Sequence, residues 1–161
     1  MEMNYRQQFG LIKDIDVDEL STWGNRLFLT FDIDWAHDFI LADTIDLVER
    51  ADVAVTWFIT HDTPLLERLS ANPKFELGIH PNFNPLFEGN VQNGGCAEEV
   101  VDRLLEIVPD SKSIRSHSLA QSSMLLNLFE SKGLTHESNS LIPEQVGIEL
   151  KPWFAWNGMI K

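Results

Sequence analysis

Residues 27–39 read LFLTFDIDWAHDF, an apolar run that ends in three carboxylates within seven residues. The stretch at 26–32 is too short for a helix and rich in aromatic residues, so we predict a buried strand there. Residues 39–51 carry apolar side chains at helical spacing, and Asp38 is placed to cap the start of that helix. A buried strand followed directly by a helix is typical of a β/α unit.

The same order of strand and helix repeats along the chain. We predict further strands at 53–60, 75–80, 111–118 and 134–138, and further helices starting at Thr63 and Pro64, at 97–108 and at 121–132. Repeated units of this kind predict a parallel sheet covered by helices, either an open α/β sheet or a barrel. In both arrangements ligands bind at the carboxyl ends of the strands, so functional residues are expected there.

The composition suits a single soluble domain spanning 1–161. Of the 161 residues, 43% are hydrophobic and 23% charged, as in ordinary globular proteins. Twelve basic and twenty-five acidic side chains give a formal net charge of −13, which disfavours nucleic-acid binding. No stretch approaches the roughly 20 apolar residues of a membrane span, and the N-terminus is unlike a signal peptide. Cys96 is the single cysteine, so no disulfide can form within the chain. We therefore expect a cytoplasmic protein.

Residues capable of chemistry stand at the ends of three predicted strands. Asp32 and Asp34 end the first strand, His80 ends the third, and Arg115 and His117 lie in the fourth. The two aspartates are two residues apart on a strand, so their side chains point to the same side, with Cα atoms roughly 6.5–7 Å apart. Unpaired carboxylates beside an apolar strand are costly without a cation or hydrogen bonds. One aspartate could therefore bind a metal while the other contacts a water bound to that metal.

Each of these residues also has a purely structural interpretation. One or both aspartates could cap the next turn, His80 could be a satisfied core histidine, and Arg115 could form a salt bridge elsewhere. Trp35 could stack on a sugar, although burial is the commoner role of an aromatic side chain. The loop at 81–96 is rich in Pro, Gly and Asn. At this length we expect a functional loop, the alternative being a flexible surface excursion.

In this order, the residues resemble the polysaccharide deacetylases, the NodB-homology or carbohydrate esterase family 4 group. More narrowly, they resemble the WbmS-like branch linked to O-antigen and surface-polysaccharide biosynthesis. The family's first motif, TFDD, is similar to residues 30–34 with one residue inserted between the acids. The resemblance implies that Asp32 is the catalytic base and Asp34 a metal ligand. It implies an irregular (β/α) barrel of the NodB-homology type, best matched over 26–140, with 1–25 as an N-terminal extension.

The chain departs from the family in its second and third motifs. The second motif has two metal-binding histidines four residues apart, and here His80 matches the first while Asn84 occupies the second position. The third motif's arginine matches Arg115, which would hold the base carboxylate, but the usual Pro and aromatic residue do not follow. His117 could supply the missing imidazole. The set Asp34, His80 and His117 suits zinc or a similar divalent ion.

The resemblance implies hydrolysis of an N-acetyl group on a sugar or polysaccharide precursor, with Asn84 and Trp35 as substrate-binding residues. In the family a late histidine acts as general acid, whereas no histidine follows His136 here. One hypothesis is therefore that this chain alone is slow or inactive. Residues 146–161, VGIELKPWFAWNGMIK, read like the approach to another strand. We expect a barrel that is incomplete at the C-terminus through truncation, the alternative being that the last barrel segment is genuinely missing.

Two other functions are left open by the sequence. The first is a non-catalytic deacetylase-like domain that binds a sugar or a partner, which Asn84 and the missing late histidine favour. The second is a phosphatase of the haloacid-dehalogenase type, because that family also opens with an apolar strand and Asp-x-Asp. Asp32 would then be the phosphate-accepting nucleophile. Against this, Ala36 stands where Thr or Val is expected, and no later paired acidic motif offers a magnesium site.

Overall fold

The structure is a computed structural model that describes residues 5–89, 95–142, 147 and 150–161. Its five strands are β1 (Leu29–Asp32), β2 (Val55–Ile59), β3 (Phe75–Ile79), β4 (Ser113–Ile114) and β5 (His136–Glu137). Its α-helices are α1 (Leu20–Trp23), α2 (Asp38–Ala51), α3 (Leu66–Ala71), α4 (Asn84–Phe87), α5 (Ala97–Ile107) and α6 (Ser123–Ser131). Short 3-10 helices lie at Tyr5–Gln8, Ile12–Asp14 and His117–Leu119.

All five strands belong to one parallel sheet in which the spatial order equals the chain order. The sheet curls into a half-barrel, so the predicted fold class, an incomplete NodB-type barrel, is confirmed. Each strand is joined to the next by a segment that contains a helix, as parallel connections require. Among the residues that the structure describes, no helix is both long and apolar enough to cross a membrane.

Alternate residues of each strand face the two sides of the sheet. In β2, the side chains of Val55, Trp57 and Ile59 pack into the hydrophobic core with the helices. The intervening side chains of Thr56 and Phe58 therefore point into the concave side of the half-barrel. This alternation is why a strand that is buried along its whole length still carries a polar residue.

A buried polar network occupies the concave side near the amino ends of the strands. Glu76, of which 3% is exposed, accepts hydrogen bonds from the hydroxyls of Thr56 and Ser113 and from the backbone N–H of Lys13. The Ile12 N–H donates to Thr56 Oγ1 at 3.2 Å. These bonds attach the N-terminal segment to the sheet and satisfy a carboxylate that would otherwise be costly to bury.

The last residues of the chain adjoin β5. Ile160 forms a parallel bridge with His136, and the Glu137 N–H donates to the Ile160 carbonyl at 2.7 Å. The prediction that residues 146–161 lead toward another strand stays a prediction, because the described residues there form isolated bridges at Phe154 and Ile160. The buried Glu137 carboxylate lies 3.0 Å from Lys161 Nζ, which supplies its counter-charge.

Two local predictions about helix starts are wrong. Asp38 is the first residue of α2 rather than its cap, because His37 has the extended backbone of the N-cap position. The Asp38 carboxylate instead accepts a hydrogen bond from Thr63 Oγ1 at 2.7 Å. The helix predicted from Thr63 and Pro64 begins at Leu66, because the Thr63 hydroxyl accepts from the Leu65 N–H and holds the preceding residues in a turn.

Candidate functional site

Three side chains that could bind a metal converge at the carboxyl edge of the sheet. Asp34, His80 and His117 each offer one ligand atom, and these atoms all lie within 4.8 Å of one another. Asp34 Oδ1 is 3.5 Å from His80 Nε2 and 3.4 Å from His117 Nδ1. The residues follow β1, β3 and β4, and the carboxyl ends of parallel strands meet at one edge. The structure thus places together the three residues predicted as ligands.

Backbone contacts hold each of the three residues in place. The His80 N–H donates to the Ile59 carbonyl at 2.8 Å, which extends the pairing of β2 and β3 by one residue. The His117 N–H donates to the Pro81 carbonyl at 2.9 Å, so the chain after β4 keeps close to the chain after β3. Asp34 has a left-handed backbone with φ of 42°. The ligand atoms therefore sit on well-anchored backbone rather than on free loops.

Two atoms of this site are buried without a hydrogen-bond partner among the residues that the structure describes, namely Asp34 Oδ1 and His80 Nδ1. An orphaned buried polar atom is costly, and a bound cation would satisfy the carboxylate oxygen. Burial lowers the pKa of His80 below its ordinary value of 6.5, although the charges of Asp32 and Asp34 act in the opposite direction. The neutral imidazole that burial favours is the form that binds metals. The donor set therefore fits a divalent cation such as zinc.

Arg115 holds the other aspartate of the first motif. Its Nη1 donates to Asp32 Oδ1 at 3.1 Å and to Thr30 Oγ1 at 2.9 Å. Its Nε and Nη2 donate to the carbonyl and the hydroxyl of Ser138, at 3.1 and 2.8 Å. The guanidinium also lies over the Phe58 ring, 4.5 Å from the centroid. Arg115 is thus fixed in one orientation, and a single nitrogen, Nη1, donates a charge-assisted hydrogen bond to the Asp32 carboxylate.

The two residues predicted to bind substrate lie at the rim of the site. The Trp35 side chain is 58% exposed, and its ring contacts the His117 ring edge-on, with centroids 5.2 Å apart. Asn84 Nδ2 donates to Ser118 Oγ at 3.3 Å. Asn84 therefore faces the chain after β4, while His117 is the residue that stands against His80, with ring centroids 5.5 Å apart. Residues 90–94 of the predicted functional loop lie outside the described residues.

Sequence reasoning missed the hydroxyl-bearing residues of the site. Thr60, which directly follows β2, donates to the backbone carbonyl of Asp34 and contacts His61. Ser138, which directly follows β5, accepts two of the hydrogen bonds of Arg115. Both positions obey the strand-end rule that identified the aspartates. Neither hydroxyl carries a charge or a metal-binding nitrogen, so neither residue stands out in the sequence.

Comparison with known proteins identifies the family of the chain. The family model described as WbmS-like polysaccharide deacetylase matches residues 29–161. A crystal structure from Bordetella bronchiseptica, described as a candidate polysaccharide deacetylase involved in O-antigen biosynthesis, is 51% identical and superposes with a TM-score of 0.90. The match covers 98% of this chain but 64% of the Bordetella chain. A search of curated proteins found no match. The resemblance inferred from the motifs is therefore confirmed at the level of the family.

Proposed function

Because the chain belongs to the WbmS-like polysaccharide deacetylase family, we propose that it forms a metal-dependent centre that hydrolyses an N-acetyl group on a carbohydrate. The observation that carries the proposal is the convergence of Asp34, His80 and His117 beside the Asp32–Arg115 pair. A ligand cluster next to a held carboxylate is the arrangement needed for metal-assisted hydrolysis. We place the substrate in the cytoplasm, as a precursor of a surface polysaccharide such as O-antigen.

Zinc is the cation that we propose for the site, held by Asp34 Oδ1, His80 Nε2 and His117 Nδ1. When bound, zinc acts as a Lewis acid toward the acetamide carbonyl and the attacking water. Three protein ligands are typical of catalytic zinc sites, which leave a position for water or substrate, whereas structural sites use four. The exposed Trp35 ring lies against His117, one of these three residues, so a substrate held by the site would lie close to that ring.

Asp32 is the general base in this proposal. Its carboxylate is 31% exposed, so it can reach a water in the cleft while Arg115 fixes its orientation. Asp32 takes a proton as water adds to the carbonyl carbon, and the bond between that carbon and the sugar nitrogen then breaks. The departing amine needs one proton, and the proton that Asp32 has accepted is available for it. One carboxylate can therefore serve both transfers, with free acetate and an amino sugar as products.

The rim supplies the carbohydrate contacts. Trp35 is an exposed aromatic ring beside a ligand histidine, and such a ring offers an apolar face together with a polar edge. We propose that a sugar ring packs against Trp35 while Asn84 hydrogen bonds to its hydroxyl groups. The phosphatase alternative has less support, because it gives no role to His80 or to Arg115, and both lie against Asp32.

The proposal is tested by zinc content and by acetate release, measured on the same preparations. We expect the chain to bind zinc, Asp34→Ala to lose it, and Asp32→Asn to retain zinc but lose acetate release from an N-acetylated oligosaccharide. Asp43→Asn is the matched control, because Asp43 is an exposed carboxylate on α2. Unchanged zinc content in Asp34→Ala would refute the ligand assignment.

A sugar-binding domain without catalysis is the second candidate. Asn84 stands where the family has its second metal-binding histidine, and its side chain is bonded to Ser118 rather than turned toward the ligand cluster. Zinc binding and oligosaccharide binding without acetate release would favour this function. Acetate release that depends on Asp32 would exclude it.

A further inference from the structure

The backbone of Asp34 is in a conformation that L-residues rarely adopt. Its φ of 42° lies in the left-handed region, where the Cβ atom crowds the following carbonyl oxygen. The turn around it is closed by a hydrogen bond from the Ala36 N–H to the Ile33 carbonyl at 3.1 Å. With this backbone, Asp34 Oδ1 stands 3.5 Å from His80 Nε2. A conformation of this kind persists when neighbouring groups hold it, and it often accompanies function.

The neighbouring strand supplies such a group. Thr60 directly follows β2, and its hydroxyl donates to the backbone carbonyl of Asp34. The same hydroxyl oxygen lies 2.7 Å from His61 Nδ1. A threonine hydroxyl carries one hydrogen, and a carbonyl oxygen can only accept. Because that hydrogen is used toward Asp34, the hydrogen of the second contact must come from His61 Nδ1. This arrangement of donors requires a proton on Nδ1 of His61.

We propose that Thr60 and His61 form a positioning chain that holds Asp34 in its ligand conformation, with His61 donating to Thr60 and Thr60 donating to Asp34. The inference rests on the proposed function, since it assigns Asp34 the role of a metal ligand. Neither Thr60 nor His61 binds the metal in this scheme. Successive hydrogen bonds polarise one another, so the donor at His61 strengthens the bond from Thr60 to Asp34.

Substitutions at Thr60 and Thr63 separate positioning from general stability. Thr60→Val keeps the shape of the side chain and removes the hydroxyl, whereas Thr60→Ser keeps the hydroxyl. Thr63→Val is the matched control, because Thr63 is a buried threonine in the same loop whose hydroxyl bonds to Asp38 rather than to a ligand residue. Thr63→Val should lower the melting temperature without changing the affinity for metal.

Metal affinity is measured for the whole chain by competition between the protein and a chromophoric chelator for Zn²⁺. Loss of an outer-shell partner typically weakens metal binding about 10–100-fold, and we expect that loss in Thr60→Val. Thr60→Ser and Thr63→Val should bind Zn²⁺ as the parent does. Equal affinity of Thr60→Val and the parent would overturn the inference, as would an equal loss in Thr63→Val. Should Thr60→Val not fold, His61→Phe removes the outer donor alone and should still weaken Zn²⁺ binding.

A second readout needs no metal. The ¹⁵N resonances of the His61 ring in the metal-free protein report which nitrogen carries the proton, and we expect a protonated Nδ1 in the parent and its loss in Thr60→Val. If the parent binds no Zn²⁺ but shows this Thr60-dependent tautomer, the positioning chain stands and the proposed function fails. If Nδ1 of His61 carries no proton in the parent, the inference fails even when Zn²⁺ binds.

Discussion

Replacing Arg115 by Lys should destabilise the half-barrel, because Arg115 connects strands that are far apart in the sheet. The guanidinium extends from the end of β4 to Thr30 and Asp32 of β1 and to Ser138 after β5. β1 and β5 are the first and last strands of the five-stranded sheet. An ammonium group keeps the charge but cannot reproduce the planar fork or the stacking on Phe58.

The size of the effect follows from the bonds lost. Arg115 makes four hydrogen bonds, to Thr30, to Asp32 and to two atoms of Ser138. If Lys retains one or two of them, two or three are lost, and a net hydrogen bond contributes about 0.5–1.5 kcal/mol. The hydrogen bond to Asp32 is counted at the lower end of this range, because the Asp32 carboxylate is 31% exposed and solvent weakens the interaction. We expect Arg115→Lys to lower the free energy of unfolding by about 1.5–3 kcal/mol.

Urea unfolding of the metal-free protein measures this difference, with the midpoint and the slope fitted separately. The control is Arg68→Lys, because Arg68 pairs with Asp46 and Glu49 at the surface of α3. A surface pair of that kind contributes about 0–1 kcal/mol. If Arg115→Lys is no more destabilising than Arg68→Lys, then Arg115 does not brace the sheet and the reasoning is refuted.

Three further predictions concern the metal ligands and the packing beneath them. His117→Ala should weaken Zn²⁺ binding by at least the ~10–100-fold that is typical of outer-shell changes. Asn84→Ala should leave the affinity for Zn²⁺ unchanged. Equal effects of the two substitutions in a chelator competition would contradict the assignment of His117 as a ligand. Because burial lowers the pKa of His80 below 6.5, the unfolded chain binds more protons there. The free energy of unfolding of the metal-free protein should therefore be highest above about pH 6.5 and should fall as the pH drops toward the pKa of His80 in the folded protein. Urea unfolding of His80→Gln should lack this pH dependence. Gly78→Ala should cost about 1–3 kcal/mol of stability, because its Cβ would lie 2.8 Å from ring atoms of Phe58; an unchanged thermal midpoint would count against this packing.

The residues with acid, base or ligand chemistry could be predicted from the sequence because the topology dictates where they meet. Asp34, His80 and His117 are far apart in the chain, but each follows a strand, and parallel strands present their carboxyl ends at one edge. The alternation of strands and helices in the sequence was sufficient to infer that these residues meet at that edge. His117 was predicted as a ligand because Asn84 stands where the family has its second histidine and because His117 lies in the fourth predicted strand.

The positioning residues could not be predicted in the same way, for a physical reason. A hydroxyl group has no fixed partner, and its role depends on which backbone carbonyl lies within hydrogen-bond distance. Thr60 and Thr63 are three residues apart and chemically identical, yet one bonds to the backbone of Asp34 and the other to the side chain of Asp38. Only the packing of the loop after β2 against the loop after β1 distinguishes them.

The position of the proposed base depends on the curvature of the sheet as well as on β1. Asp32 is held by a guanidinium whose other donors bond to Ser138. Any change that moves the end of β5 away from β1 must therefore either break the bonds to Ser138 or draw Arg115 away from Asp32. Ser138→Ala removes one of those bonds without touching Asp32. Ser138→Ala should therefore lower acetate release while leaving zinc content unchanged. Unchanged acetate release would show that Asp32 is positioned by β1 alone.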